Sequence, residues 1–265
     1  MRNNFRKYCV NDELRIPTKN RFWMNVSPKD YATYGIYFFG SYDPSMTSVF
    51  THIIKPGETV WDIGTERGWF TLLMASLVGE NGRVDSFEAF PPTVEKLKAN
   101  VALNNFKWVH VNGIAVSESN SKMWFVPPSN EVTHNIRFLQ DCNGVGYLSE
   151  TNIPGAIEIN TICLDDYYER QEITKVTLIK IDIEGAEVCA LKGAKKLIEK
   201  DKPLLAIEFN RQTALRANSS IEELYDLLNG YGYELYLFEN KFVRFDLSAY
   251  NNIDDMVVNV YCFPK

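Results

Sequence analysis

The stretch Val60-Trp61-Asp62-Ile63-Gly64-Thr65-Glu66-Arg67-Gly68 constrains the chain more than any other. An apolar run ends in two glycines, and Trp69-Phe70-Thr71-Leu72-Leu73-Met74-Ala75-Ser76-Leu77 follows with helical patterning. That order predicts a buried parallel strand, a tight turn and an amphipathic helix. Gly64 and Gly68 can take backbone angles closed to other residues and let a ligand approach the main chain, while the first N–H groups of the helix lack partners. The corner is therefore expected to bind a ligand, with room for a carboxylate or phosphate.

Spacing narrows the ligand. A second strand, Arg83-Val84-Asp85-Ser86-Phe87-Glu88, ends in an acid 20 residues after Gly68, about where doubly wound nucleotide folds place the carboxylate that takes ribose hydroxyls. The G-x-x-x-G spacing is not the dinucleotide G-x-G-x-x-G pattern. It suits S-adenosylmethionine, with the amino-acid end over the glycine turn and the ribose at the second strand.

At 265 residues, 45% hydrophobic and 23% charged, the chain can bury a substantial core and is read as one large α/β domain with decorations. A net charge of −6 argues against a nucleic-acid partner, which would call for a basic face. Cys9, Cys142, Cys163, Cys189 and Cys262 are odd in number and never spaced as C-x-x-C, so neither a disulfide framework nor a zinc site is expected. No run approaches the roughly 18 apolar residues of a membrane span, and the basic N-terminus lacks the apolar stretch of a signal peptide. The expectation is a cytoplasmic protein.

Residues 1–30 carry no sustained period, and 1–44 read as an N-terminal arm or lid ahead of a domain spanning 45–265. A helix is expected over 45–54, and Pro91-Pro92 should open another, since proline is tolerated at a helix start. Residues 108–116 read as a third strand, with Gly113 to Ala115 flanking the adenine. Residues 117–156 are irregular, with Pro127-Pro128 and Pro154-Gly155, and form a candidate substrate loop. Val176-Thr177-Leu178-Ile179-Lys180-Ile181-Asp182 and Leu204-Leu205-Ala206-Ile207-Glu208-Phe209-Asn210 are further strands. Ligands bind beyond the carboxyl ends of strands in open α/β sheets, so Asp62, Glu88, Asp182 and Glu208 should gather along one rim. Ser219-Ser220-Ile221-Glu222-Glu223 reads as a capping box, and residues 234–245 and 257–263 as a closing antiparallel pair.

Val60 to Gly68 with Phe70-Thr71, then Phe87-Glu88, Leu164-Asp165-Asp166-Tyr167, and above all Ile179-Lys180-Ile181-Asp182-Ile183-Glu184-Gly185-Ala186-Glu187 with Leu191-Lys192-Gly193-Ala194, resemble the FkbM family of S-adenosylmethionine-dependent methyltransferases. The resemblance implies a class I methyltransferase Rossmann-like fold, a seven-stranded mostly parallel sheet with helices on both faces, and methylation of a hydroxyl on a sugar, glycan or related small molecule. It also marks two departures. Thr65-Glu66-Arg67 stands where the family has Ala-Asn-Ile, and Phe87-Glu88-Ala89 where it has Phe-Glu-Pro. With an acid at Glu66, the expected arrangement turns Glu66 toward the cofactor ammonium and Arg67 toward its carboxylate.

The expected cofactor set is thus Asp62, Gly64, Thr65, Glu66, Gly68, Glu88 and Ala115. A sulfonium methyl is already activated, so alignment supplies most of the catalysis; a carboxylate near the acceptor adds general-base help, with Asp182 first and Glu208 second. A metal variant would seat Mg²⁺ or Mn²⁺ on Asp182, Glu208 and Asn210. Glu184 and Glu187 are also explained by charge matching at a helix start. Two other readings stand beside the O-methyltransferase: a non-catalytic cofactor-binding module, and an N-methyltransferase. Of the histidines, only His134 invites a test.

Overall fold

The computed structural model describes residues 9–10, 13–27, 31–127, 146–250, 253 and 255–265. In chain order the strands are β1 (Cys9–Val10), β2 (Glu13–Pro17), β3 (Trp23–Val26), β4 (Thr59–Ile63), β5 (Arg83–Phe87), β6 (Val109–Asn112), β7 (Ala115–Val116), β8 (Lys122–Val126), β9 (Tyr147–Ser149), β10 (Ile157–Ile162), β11 (Leu178–Ile181), β12 (Leu204–Asn210), β13 (Tyr233–Phe238), β14 (Phe242–Arg244) and β15 (Val257–Pro264). The large sheet has the order β14-β13-β15-β12-β11-β4-β5-β6. Strands β12, β11, β4, β5 and β6 are parallel, and β15 and β13 are each antiparallel to their neighbours. This is the class I methyltransferase arrangement, with eight strands rather than seven. The extra one arises because residues 234–245 fold back at Glu239 to Lys241 into a hairpin, so that β14 pairs with β13.

The strand order reverses between β4 and β11, which is where doubly wound sheets open a ligand crevice. Both strands are apolar enough to be buried on both faces. Trp61 and Ile63 pack with Ile179 and Ile181 in one core, and Val60 packs with Leu178 in the other, against the helices Pro44–Ile53, Trp69–Val78 and Pro91–Leu103. Asp62 and Lys180 share the Val60 face by alternation and stand directly opposite each other in the ladder.

Residues 108–116 split: β6 stays in the large sheet, whereas β7 pairs with β10 in a separate four-stranded sheet, β7-β10-β8-β9, which takes in residues 122–126 and 147–149 of the irregular segment. The helix after Asp182 is broken into Glu187–Lys192 and Lys195–Asp201. The carboxylate of Asp165, from a distant helix, accepts hydrogen bonds from the Lys196 and Leu197 N–H groups and so caps the second piece. The first 44 residues are not featureless: β1, β2 and β3 form a sheet, Tyr31–Phe39 is a helix, and Met24, Val26 and Ile36 enter the core with Leu72 and Val84. His134 and Cys142 lie outside the described residues.

Candidate functional site

The glycine turn sits at the carboxyl end of β4. The Gly64 N–H is held by the carbonyl of Phe87, and the Gly68 N–H closes the turn onto Thr65. Gly64 has φ +79° and Gly68 φ +90°, both in the left-handed region where only glycine is unstrained. Glu66 shares that region at φ 50°, an uncommon place for a side chain of its kind.

Across the turn, Glu88 uses both carboxylate oxygens on the backbone. Oε2 accepts from the Glu66 N–H at 3.0 Å and Oε1 from the Phe90 N–H at 2.9 Å. The Glu88 carboxylate therefore shapes the turn as well as facing the crevice, and burial raises it to about 7 against those backbone bonds. Glu66 also rises to about 7, through desolvation first and the nearby Asp182 and Glu88 charges second. The residue as a whole is exposed, and its carboxyl lies near those of Asp182 and Glu88.

Arg67 lines the cleft at the turn with Glu66 and Asp182. It is buried, and its guanidinium pairs with Glu13 of β2 at 2.6 Å. Its carbonyl accepts from Asn100 on the helix Pro91–Leu103, so Arg67 fastens the N-terminal sheet to the site. The cleft, lined also by Met24, Ile36, Tyr42 and Gly64, among others, encloses about 380 Å³ of atom-free space that opens to solvent.

Behind the turn lies a buried ionic group that the sequence reading passed over. Lys180 Nζ donates to the Gly64 carbonyl and to Asp182 Oδ2, both at 3.3 Å, and stands 3.7 Å from Asp62 Oδ1. The side chains of Lys180 and Asp62 are 4% and 0% exposed. Burial pulls the ammonium down, but Asp182 and Asp62 outweigh it and leave Lys180 above its ordinary value. Asp62 is raised by burial, opposed by Lys180 and by Thr71, whose hydroxyl donates to Oδ2 at 2.6 Å. A single cation inside an apolar strand, opposite a single anion in the next one, was the available signal: charges are almost never buried unpaired.

Beyond the ends of β11 and β12, Asp182, Glu184 and Glu208 bring carboxylate oxygens within 4.8 Å of one another. Asp182 is the open member, 36% exposed. Burial, then Asp182 and Glu187, raises Glu184 to about 8; burial, then Asp182 and Glu184, lifts Glu208 well above a carboxylate's usual value. This set shares Asp182 and Glu208 with the expected Asp182, Glu208 and Asn210. Asn210 caps the helix Arg211–Arg216, its Oδ1 accepting from the Thr213 N–H, while its Nδ2 donates to Glu208. Glu187 turns to the backbone, accepting from the Ile183 and Gly185 N–H groups ahead of its helix. Glu184 instead faces the carboxylates, with Arg216 at 3.8 Å.

The rim therefore holds Glu88, Glu66, Asp182, Glu184 and Glu208, with Asp62 beneath the turn. Ala115 is buried in the second sheet, opposite Thr161. Of the other histidines, His52 bonds to the Ser48 carbonyl and His110 is exposed on β6.

The sequence profile of the methyltransferase FkbM domain matches residues 62–235, from the glycine-turn strand through β13. The chain belongs to this family. It is a member of an S-adenosylmethionine-dependent methyltransferase family. A comparison with curated proteins gave no match. Among solved structures, similarity extends to a methyltransferase FkbM from Methylobacillus flagellatus, with 17% identity, a TM-score of 0.47, and coverage of 88% of this chain and 53% of that one. This chain thus spans about half the length of that relative. An O-methyltransferase from Bacillus cereus in complex with SAH shows 15% identity and a TM-score of 0.46 over 85% of this chain and 83% of its own. Fibrillarin from Aeropyrum pernix shows 12% identity and a TM-score of 0.46 over 96% and 84%. Among the described residues, no helix is long and apolar enough to cross a membrane.

The residues fit the family's cofactor. Asp62 Oδ1 is buried without a hydrogen-bond partner beneath the turn, Gly64 brings bare backbone to the cleft, and the lining carboxylates suit a ligand of net positive charge.

Proposed function

We propose that the chain is an O-methyltransferase acting on a hydroxyl of a sugar, glycan or related small molecule. The observation that carries the reading is the position of Asp182: one of its oxygens is tied to the Lys180 ammonium behind the glycine turn, while its carboxylate opens toward Glu184 and Glu208. S-adenosylmethionine, when bound, supplies a methyl group already activated by a sulfonium.

The chain's own task is then to align and to deprotonate. Gly64, Thr65, Glu66 and Gly68 would border the amino-acid end, Asp62 would support it from below, and Glu88 would take ribose hydroxyls with the lone pairs its backbone bonds leave free. Asp182 would accept the acceptor's hydroxyl proton, with Glu208 as the second carboxylate, a contribution of about 10²- to 10⁴-fold. Neighbouring hydroxyls of a sugar are O–H donors, and a group of carboxylates is an acceptor array for them. Asp182, Glu184 and Glu208 would hold Mg²⁺ or Mn²⁺, which would act as a Lewis acid on the acceptor oxygen.

The test is incubation with S-adenosylmethionine and a panel of sugars, glycosides and amines, read by mass spectrometry for methyl gain. Gain on a hydroxyl, reduced about 10²-fold in Asp182→Asn with donor affinity kept within a few-fold, is expected. Gain confined to amines would replace the reading with N-methylation, and donor binding without transfer to any acceptor would leave a binding module.

A further inference from the structure

The buried ammonium of Lys180 is held by Asp182 and Asp62, which offset its desolvation. Taking a lysine and its partner carboxylates out of water is expensive, and apolar residues in such a place are often as stabilising or more so. The strand context would accept them: on the ladder's other side the residue opposite Lys180 is Ala206, and the ring of Phe70 lies 5.4 Å from Nζ. Nor is the network closed, since Asp62 Oδ1 has no hydrogen-bond partner. What distinguishes Lys180 is its place. It lines the same cleft as Gly64, Thr65, Glu66 and Asp182 and bonds to the turn and to Asp182 at once.

We propose that Lys180 sets the balance between donor and product affinity by standing as a fixed positive charge between Asp62 and Asp182 at the wall of the cleft that Glu66 and Arg67 also line. The inference rests on the donor-site reading above. Methyl transfer turns a sulfonium into a neutral thioether, so the donor carries one more positive charge than the product. Glu66, Asp182 and Asp62 attract that charge, and on their own would hold the donor far more tightly than the product. The ammonium of Lys180 opposes them for the donor and leaves the thioether nearly untouched. Binding that favours the ground state alone does not speed transfer, so restraining donor affinity keeps the discharge of the sulfonium favourable. Lys180 is in this role a specificity-determining residue, acting through charge rather than by contact with the reacting atoms.

The experiment measures dissociation constants for S-adenosylmethionine and S-adenosylhomocysteine by calorimetry, with no acceptor present. In Lys180→Gln and Lys180→Met the ratio of product to donor dissociation constant should rise on the order of tenfold, as one unit charge several ångströms away gives at an effective dielectric near 20. Lys180→Arg should stay within about twofold of the unaltered protein, because it keeps the charge. Asp62→Asn should move the ratio the opposite way, which keeps the test decisive where a neutral Lys180 variant does not fold. Equal losses of both affinities, or an unchanged ratio, would mean a purely structural lysine and overturn the proposal. Binding of neither compound by the unaltered protein would overturn the donor-site reading itself, a result distinct from binding with an unchanged ratio.

Discussion

A β-carbon on Gly64 would lie 1.7 Å from the backbone carbonyl oxygen of Asp182. The turn that follows β4 and the residue that follows β11 are thus in close backbone contact, and a shift of the glycine turn is felt at Asp182. Gly64→Ala adds both this clash and a side chain at φ +79°, so it should destabilise the fold by about 3 kcal/mol or more. Thermal melting and donor calorimetry on the same sample check this. A stable Gly64→Ala that binds normally would mean that the two loops can separate.

Glu66 should respond in the opposite sense. Its left-handed backbone costs a non-glycine residue about 1–2 kcal/mol, and asparagine bears that conformation better. Glu66→Asn also removes a carboxylate from beside Asp182 and Glu88. The variant is expected to melt at a higher temperature than the unaltered protein, and a lower melting temperature would show that the carboxylate makes a productive contact.

The raised acids give the stability an unusual pH profile. Glu88 and Glu187 titrate near 7 and Glu184 near 8 in the folded chain, against about 4.3 for glutamate in an unfolded one. Between those values the folded state binds more protons than the unfolded state, so stability falls as pH rises. The unliganded protein should melt higher at pH 5.5 than at pH 8, the reverse of a fold held by carboxylate ion pairs. A cationic donor favours the ionised acids, so its binding at pH 7 should release protons, seen as a calorimetric enthalpy that varies with the ionisation heat of the buffer. Flat melting curves across that range would contradict the burial of these groups.

The parts legible in the sequence were those fixed by local pattern. Val60 to Gly68 has one reading as strand, turn and helix start, and Ser220 caps its helix by accepting from the Glu223 N–H as the motif requires. The helix at Pro91-Pro92 begins where proline sets it. What pattern could not give was pairing between distant segments. Asp165 reads as a helix-start acid of its own element, but it caps Lys195–Asp201. Arg67 reads as a cofactor ligand, but Glu13 lies across a sheet that residues 1–30 gave no periodicity to foresee. Nothing local to Lys180 announces a role for it, because only the register of β11 on β4 places it opposite Asp62.

The last distinction concerns Asn210 and Glu184. Asn210 ends β12 beside Glu208, which made it a natural third oxygen ligand, but its Oδ1 is committed to the Thr213 N–H and its Nδ2 to Glu208. A cap of this kind contributes about 1 kcal/mol. Asn210→Ala should therefore lower the melting temperature and leave methyl transfer, with or without EDTA, close to that of the unaltered protein. Glu184 stands in the opposite position: one oxygen is buried without a hydrogen bond, and the group lies within 4.8 Å of Asp182 and Glu208 oxygens. Glu184→Gln removes a charge from that group, so it should reduce transfer about as much as Glu208→Gln does while changing stability less than Asn210→Ala. The same preparations, assayed in EDTA and again with added Mg²⁺ or Mn²⁺, separate a base from a metal. Loss in EDTA that the cation restores requires the three carboxylates together, whereas transfer indifferent to EDTA leaves Asp182 as the base. A transfer defect in Asn210→Ala that added cation repairs would return Asn210 to the ligand set and remove Glu184 from it.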